Sequence, residues 1–267
     1  MKQEYEKGSS HLEYLLKTPL QPETKVRTVL ISGKYPEILR TLNNEYNIET
    51  FKVIPNLDLD PAIASHADCL FIQLKHSTII IDKTNYNRLV NYLTSKTVNS
   101  IKNYTFIELD STVKSPYPDD VKLNAKIIGD KIICNTSTIA HEVIDYAKKH
   151  GYLTIHTNQG YTACSSVIIN NNALITDDES IYISSVNNGI DTLLINKGSV
   201  KLDGYDYGFI GGTCGMIDKN LLAFTGKLNS HTDYKRIEAF LNKYNVNFVE
   251  LTNGPLIDIG GIIPILE

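Results

Sequence analysis

Gly204–Asp218 reads GYDYGFIGGTCGMID, with five glycines and three aromatic residues in fifteen positions and Cys214 near its end. Glycine allows close backbone approach and positive φ, while tyrosine and phenylalanine bring apolar area and, for tyrosine, a polar tip. Such a mixture suits the start of a strand that lines a cleft better than a solvent loop. Weaker versions occur at Ala64–Phe71 (ASHADCLF), Asn158–Ser166 (NQGYTACSS) and Pro255–Ile263 (PLIDIGGII), each leading into an apolar run. We read them as equivalent edges of one repeated unit, converging on one site.

Around these edges the chain repeats strand, strand, helix, strand at intervals of roughly 40–55 residues, the mark of a repeat architecture. Val26–Ser32 is β-branched and closed by Gly33; a helix follows from Pro36 with Ile38, Leu39 and Leu42 on one face, then a strand over Ile48–Ile54. The second unit has strands at Cys69–Leu74, Thr78–Ile81 and Tyr104–Leu109 and a helix at Asn85–Leu93. In the third, Lys122–Ile128 and Lys131–Asn135 flank the hairpin turn Gly129-Asp130. Thr136 or Ser137 caps its helix, Gly151 ends it, and Tyr152–His156 is its last strand. The fourth has strands at Cys164–Ile169, Ala173–Thr176 and Asp191–Ile195 with a short helix from Asp178. In the fifth, strands at Tyr207–Ile217, Leu221–Thr225 and Val246–Leu251 accompany a helix over Asp233–Tyr244. Leu256–Leu266 is strand material with no helix after it, so one unit is shared between the C-terminal strand and Val26–Ile54. A split repeat removes free sheet edges from a ring. The expectation is an α/β closed five-fold ring over residues 26–267 preceded by an arm over residues 1–25, with a short helix at His11–Leu16 loosely docked on it. An open α+β sheet is the alternative.

The totals narrow the function. The chain has 267 residues, 42% hydrophobic and 21% charged, which is ordinary for a globular protein with a large core. Net charge is −4, and no run of Lys or Arg exceeds two, so nucleic acid is not the expected partner. The first ten residues lack the apolar stretch of a signal peptide, and no run is long enough to span a bilayer. Cys69, Cys134, Cys164 and Cys214 are widely spaced, without a CxxC pair or zinc spacing, which suits reduced thiols in the cytoplasm. No metal or cofactor is expected; the expected partner is a small molecule in a central cavity.

The residues that bear chemistry lie at the repeated edges. Cys164, after a Gly-Tyr-Thr-Ala turn, is a nucleophile if a base or positive dipole lowers its pKa, and otherwise a small buried hydrophobe. His66 and Asp68, at i and i+2, point to one side of an extended chain, as a base with its orienter or as two metal ligands. A satisfied core histidine with a turn-capping Asp68 is the plainer reading. Asp258 suits a cationic amine or guanidinium, or a backbone cap. Gln159, Tyr161, Tyr207, Gly211, Gly212 and Cys214 complete the candidate ligand-binding set.

The scheme resembles the pentein, or GME, fold of the arginine deiminase and amidinotransferase superfamily. More narrowly, HAD (His66–Asp68), QGYTACS (Gln159–Ser165), GYDYGFIGG (Gly204–Gly212) and DIGGIIPI (Asp258–Ile265) resemble an uncharacterised bacterial pentein-type family of unknown function. The resemblance covers about residues 26–267 and implies a closed ring with a central pocket. Pentein hydrolases and transferases carry a nucleophilic cysteine near the C-terminus after a Gly-rich strand start. Here that position falls at Ile263 or Pro264, no cysteine follows Cys214, and the partner histidine's place holds Gly211 and Gly212. The resemblance therefore leaves two readings: a hydrolase or transferase of a small guanidino or amino metabolite that uses another nucleophile, or a non-catalytic ring. The same architecture resembles a ribosome anti-association factor, which is not an enzyme.

Overall fold

A computed structural model of the chain describes residues 14–96 and 104–267. Among these the strands form five three-stranded sheets. Strands β3 (Phe71–Leu74), β4 (Thr78–Ile81) and β5 (Thr105–Glu108) make one, with helix α3 (Tyr86–Lys96) crossing from β4 to β5. The first two strands are an antiparallel hairpin, and the crossover makes the third parallel to the second. The same plan builds β6 (Lys126–Ile128), β7 (Lys131–Cys134), α4 (His141–Lys149) and β8 (Leu153–His156). It builds β9 (Ser166–Asn170), β10 (Ala173–Thr176), α5 (Glu179–Asn187) and β11 (Asp191–Leu194). It recurs in β12 (Cys214–Asp218), β13 (Leu221–Phe224), α6 (Tyr234–Lys243) and β14 (Asn247–Glu250). The remaining sheet joins the two ends of the chain. Strand β15 (Ile263–Leu266) pairs antiparallel with β1 (Thr28–Ser32), which runs through α1 (Pro36–Asn44) to the parallel β2 (Glu49–Val53). The shared unit expected from the sequence is therefore present, and every sheet is small and open.

Burial explains why these segments read as continuous apolar runs. All residues of β3 and β4 are buried, whereas β5 is exposed or half-exposed, and β9, β10 and β11 grade in the same way. A strand covered on both faces needs no polar alternation. The helices cover the sheets with narrow apolar faces, as Ile38, Leu39 and Leu42 do in α1. Asp178 caps α5 by accepting from the Ser180 and Ile181 N–H groups, a contribution of about 1 kcal/mol.

Several expected boundaries move, each for a local reason. Ala67–Leu70 forms one helical turn (α2), so His66 and Asp68 are not neighbours on an extended strand. Residues 122–125 are irregular, because the Asn124 and Ala125 N–H groups donate locally to the Val121 and Leu123 carbonyls rather than to a ladder. The expected strand over Tyr207–Ile217 begins only at Cys214, after a 3-10 turn at Ile210–Thr213. Similarly, only Ser166–Asn170 and Ile263–Leu266 of their expected segments are strands. Helix α4 starts at His141 behind Ala140, not behind Thr136 or Ser137. The expected His11–Leu16 helix lies partly outside the described residues. Leu15 bridges to Leu266, and Leu16 is wholly buried.

Glycine is required where units meet. A Cβ on Gly211 would lie 2.5 Å from the carbonyl oxygens of Ala163, Cys164 and Ser166, and one on Gly215 would lie 1.7 Å from the Ile262 oxygen. No helix among the described residues is long and apolar enough to cross a membrane.

Candidate functional site

The edges bring part of the expected set together. A cavity of about 260 Å³ is lined by His66, Cys164 and Asp258, with aromatic walls from Tyr161, Tyr205, Tyr207 and Phe209. His66 precedes α2, Cys164 sits in the turn before β9, and Asp258 lies in the loop before β15. All three are nearly inaccessible to solvent.

Asp258 is held by its surroundings. Its Oδ2 accepts from the Phe209 N–H at 2.9 Å and its Oδ1 from the Gly260 N–H at 3.0 Å. Gly208 and Gly212 leave it room: a Cβ on Gly212 would lie 1.8 Å from Asp258 Oδ1. Burial raises the Asp258 pKa, and the nearby His66 works against that rise. His66 Nδ1 is 3.6 Å from Asp258 Oδ1, too far for a hydrogen bond but close enough for strong attraction once the ring is protonated. Neither ring nitrogen has a hydrogen-bond partner, and neither does either oxygen of the buried Asp68. Unsatisfied buried polar groups of this kind cost free energy, and they concentrate where a ligand completes the structure.

Two thiols meet below the cavity. Asp68, Cys69 and Cys164 present one ligand atom each, all within 4.8 Å of one another, so these residues are the ones able to hold a metal ion here. Asn124 fixes the arrangement. Its Oδ1 accepts from the Ala163 N–H at 2.6 Å and the Cys164 N–H at 3.3 Å, and its Nδ2 reaches Cys164 Sγ at 3.1 Å and Cys69 Sγ at 3.7 Å. Burial, followed by the hydrogen bond to Cys69 and the charge of Asp68, drives the Cys164 pKa well up. The bond from Cys164 lowers the Cys69 pKa, but burial and the charges of Asp68, Asp258 and Asp120 outweigh it and leave that thiol at about 11. Both thiols are therefore protonated at neutral pH.

Other expected residues lie elsewhere. Gln159 faces a separate open cleft of about 1060 Å³, where it donates to Asp178 Oδ2. That cleft is the larger of the two, but both of its cations are already paired, Lys197 with Asp178 and Arg236 with Asp233, and no thiol or imidazole lines it. Cys214 borders a small void with Lys126 rather than the cavity, and burial raises its pKa to about 12. Gly211 and Gly212 pack against backbone and Asp258 and supply space rather than contacts. Sequence reading missed Cys69, Asp120, Asn124 and Lys126. Tyr161 donates to Asp120 Oδ2, and the buried Lys126 amine has its pKa lowered by burial against the opposing charge of Asp68. A carboxylate, an amide and an amine inside the apolar segment 120–128 were the available signal.

A family model, described as a family of unknown function (DUF6873), matches residues 30–263. The chain belongs to this family. No curated protein matches it in sequence. Solved structures place this DUF6873 member among pentein-like folds. The agmatine deiminase of C. jejuni aligns with a TM-score of 0.52 at 13% identity, covering 90% of each chain. An inosamine-phosphate amidinotransferase of Streptomyces griseus aligns at 0.54 with 12% identity, covering 90% of this chain and 92% of its own. A DDAH from Pseudomonas aeruginosa, in complex with citrulline, aligns at 0.50 with 10% identity, covering 89% and 96%. At such identities the likeness of these proteins to the DUF6873 chain is one of fold.

Proposed function

We propose that this chain is a pentein-like enzyme that hydrolyses, or transfers a group from, the guanidinium or amidine carbon of a small cationic metabolite. In this reading its five sheets stand as a ring around the cavity. The observation that carries it is the meeting of Cys164, His66 and Asp258 at one cavity with aromatic walls. The fold neighbours named as an agmatine deiminase and an amidinotransferase act on guanidino groups, which supports the same substrate class.

The chemistry follows from the charges. In the empty site the Cys164 thiol keeps its proton, because a buried thiolate beside Asp68 and Asp258 is strongly disfavoured. A guanidinium entering the cavity pairs with Asp258 and supplies the positive charge that stabilises a thiolate. His66, whose ring nitrogens make no hydrogen bond, accepts the thiol proton. Sulfur attacks the guanidinium carbon, a C–S bond forms, and the departing amine leaves with the proton from His66. Water then gives a proton to His66 and attacks the same carbon. The C–S bond breaks, the thiol regains its proton, and the ureido product is released. With an amine in place of water the group is transferred instead.

The test is turnover of agmatine, arginine and N-methylated arginines by purified, chelator-treated protein, read as ammonia, amine or ureido product. We expect turnover of at least one, with Cys164→Ala and His66→Ala losing roughly 10⁴-fold or more in kcat. Full activity in Cys164→Ala would reject the mechanism. Binding of such cations without turnover would support the second reading, a non-catalytic ring, which is motivated by the lack of any cysteine after Cys214.

A further inference from the structure

The reaction above needs one thiol, yet the site buries two together with a carboxylate that accepts no hydrogen bond and faces the charge of the buried Lys126 amine. We propose that Asp68, Cys69 and Cys164 form a binding site for a zinc-class divalent cation. Their three ligand atoms already lie within 4.8 Å of one another. A tetrahedral zinc ion, with bonds of about 2.0–2.3 Å, holds its ligand atoms roughly 3.3–3.8 Å apart. Closing the triad onto an ion therefore takes movements of about an ångström.

Three further features fit a cation. Asp68 is 3% exposed and neither of its oxygens accepts a hydrogen bond, which leaves a buried carboxylate that a cation would satisfy. Two sulfurs and one carboxylate select a borderline-soft ion of the zinc type over magnesium or calcium, which take oxygen ligands. Asn124 stands behind the sulfurs as an outer partner: its amide nitrogen is 3.1 Å from Cys164 Sγ, and its oxygen is anchored on the Ala163 N–H. Cys164 also lines the cavity that His66 and Asp258 share, so an ion held on its sulfur would border that cavity. The ligands come from segments far apart in the chain, which is why no zinc spacing is visible in the sequence.

Binding would exchange protons for metal. An ordinary thiol is protonated at pH 7 and zinc binds the thiolate, so each ion entering at neutral pH displaces about two protons, one from each sulfur. The site does not depend on the proposed reaction. If both hold, an ion on Cys164 Sγ removes that sulfur as a nucleophile, and metal and turnover exclude each other.

The experiment titrates the chelator-stripped full chain with Zn(II) against a chromophoric chelator, with proton release followed at pH 7, and repeats it with Co(II). We expect one tight ion per chain, about two protons released per ion, and sulfur-to-cobalt charge-transfer absorption. Cys69→Ser and Asp68→Asn should weaken binding by more than the 10–100-fold typical of losing an outer partner. Cys134→Ser, buried elsewhere, should leave it unchanged. Two surface groups compete for the ion: the exposed, neighbouring rings of His76 and His150, and the Asp110–His141–Glu142 cluster, whose ligand atoms also lie within 4.8 Å of one another. The proposal is overturned by absence of tight binding, by release of fewer than one proton, by a cobalt complex without sulfur absorption, or by a tight site lost in His150→Ala or His141→Ala but retained in Cys69→Ser. Should Cys69→Ser not fold, the proton count and the cobalt spectrum of the unaltered chain decide.

Discussion

Replacing Gly212 with alanine tests how the Gly-rich stretch holds Asp258. Gly212 does not have a positive φ, so alanine meets no backbone penalty there and the whole effect is steric. The new methyl carbon would lie 1.8 Å from Asp258 Oδ1, 2.4 Å from its Cγ and 2.9 Å from its Oδ2. Asp258 is 1% exposed, and the carboxylate must move or the 3-10 turn must shift. Moving it breaks the bonds from the Phe209 and Gly260 N–H groups, at about 1.5–3 kcal/mol each for bonds to a charged group. Overpacking adds about 1–3 kcal/mol. We therefore expect Gly212→Ala to destabilise the fold by about 4–9 kcal/mol, a large share of the roughly 5–15 kcal/mol typical of a domain. The assay is the urea midpoint at constant m-value. Gly254→Ala is the control: its methyl would meet only Thr252 Oγ1 at 3.7 Å, so its effect should stay within about 1 kcal/mol. Asp258→Ala removes all three clashing atoms. In that background Gly212→Ala should cost less than about 1 kcal/mol, giving a coupling energy of at least 2 kcal/mol. Additive behaviour of the two substitutions would refute the steric account.

Two further outcomes concern buried polar groups. Asp177 is 4% exposed, and burial raises its pKa to about 7. Between pH 4 and 7 the folded chain then holds a proton that the unfolded chain has lost, so this group's contribution to stability falls as pH rises through that window. Asp177→Asn should match the parent near pH 4 and exceed it by up to about 4 kcal/mol at pH 8, measured by urea unfolding across pH; equal slopes would contradict the shift. Asn124→Leu strands the Ala163 and Cys164 N–H groups, at about 1–3 kcal/mol each, and should destabilise the fold by about 2–6 kcal/mol in the same assay. A loss below 1 kcal/mol would show that the turn before β9 is held by other contacts.

The repeat was legible because its elements are local. Gly129-Asp130, Gly151 and Asp178 each announce a turn, a helix end or a cap through their own chemistry, and Gly129 and Gly151 do adopt positive φ. The meeting of His66, Cys164 and Asp258 at one cavity followed from treating the strand starts as equivalent. Two things were not legible. The helical turn at Ala67–Leu70 is apolar apart from Asp68 and reads as strand, because tertiary packing overrides so short a preference. The Asn124–Cys69–Cys164 cluster joins three distant segments, and nothing in the spacing of any one of them reports the other two. The sequence places Gly211 and Gly212 in the ligand-binding set; the structure shows them giving clearance to carbonyls and a carboxylate from other units, a requirement no local pattern reports.

The seam between β1 and β15 has a consequence for biosynthesis. Val29, Leu30 and Ile31 are fully shielded in the finished protein, and one flank of their strand is covered only by Ile263–Leu266. On the ribosome that flank stays bare until the tail has emerged, long after its other neighbour β2 has been made. During that interval a nascent chain offers an apolar, hydrogen-bonding ribbon to any other extended segment nearby. Removing Ile263–Leu266 would make this transient hazard permanent, and shortened chains should accumulate as aggregates rather than as slightly weakened monomers.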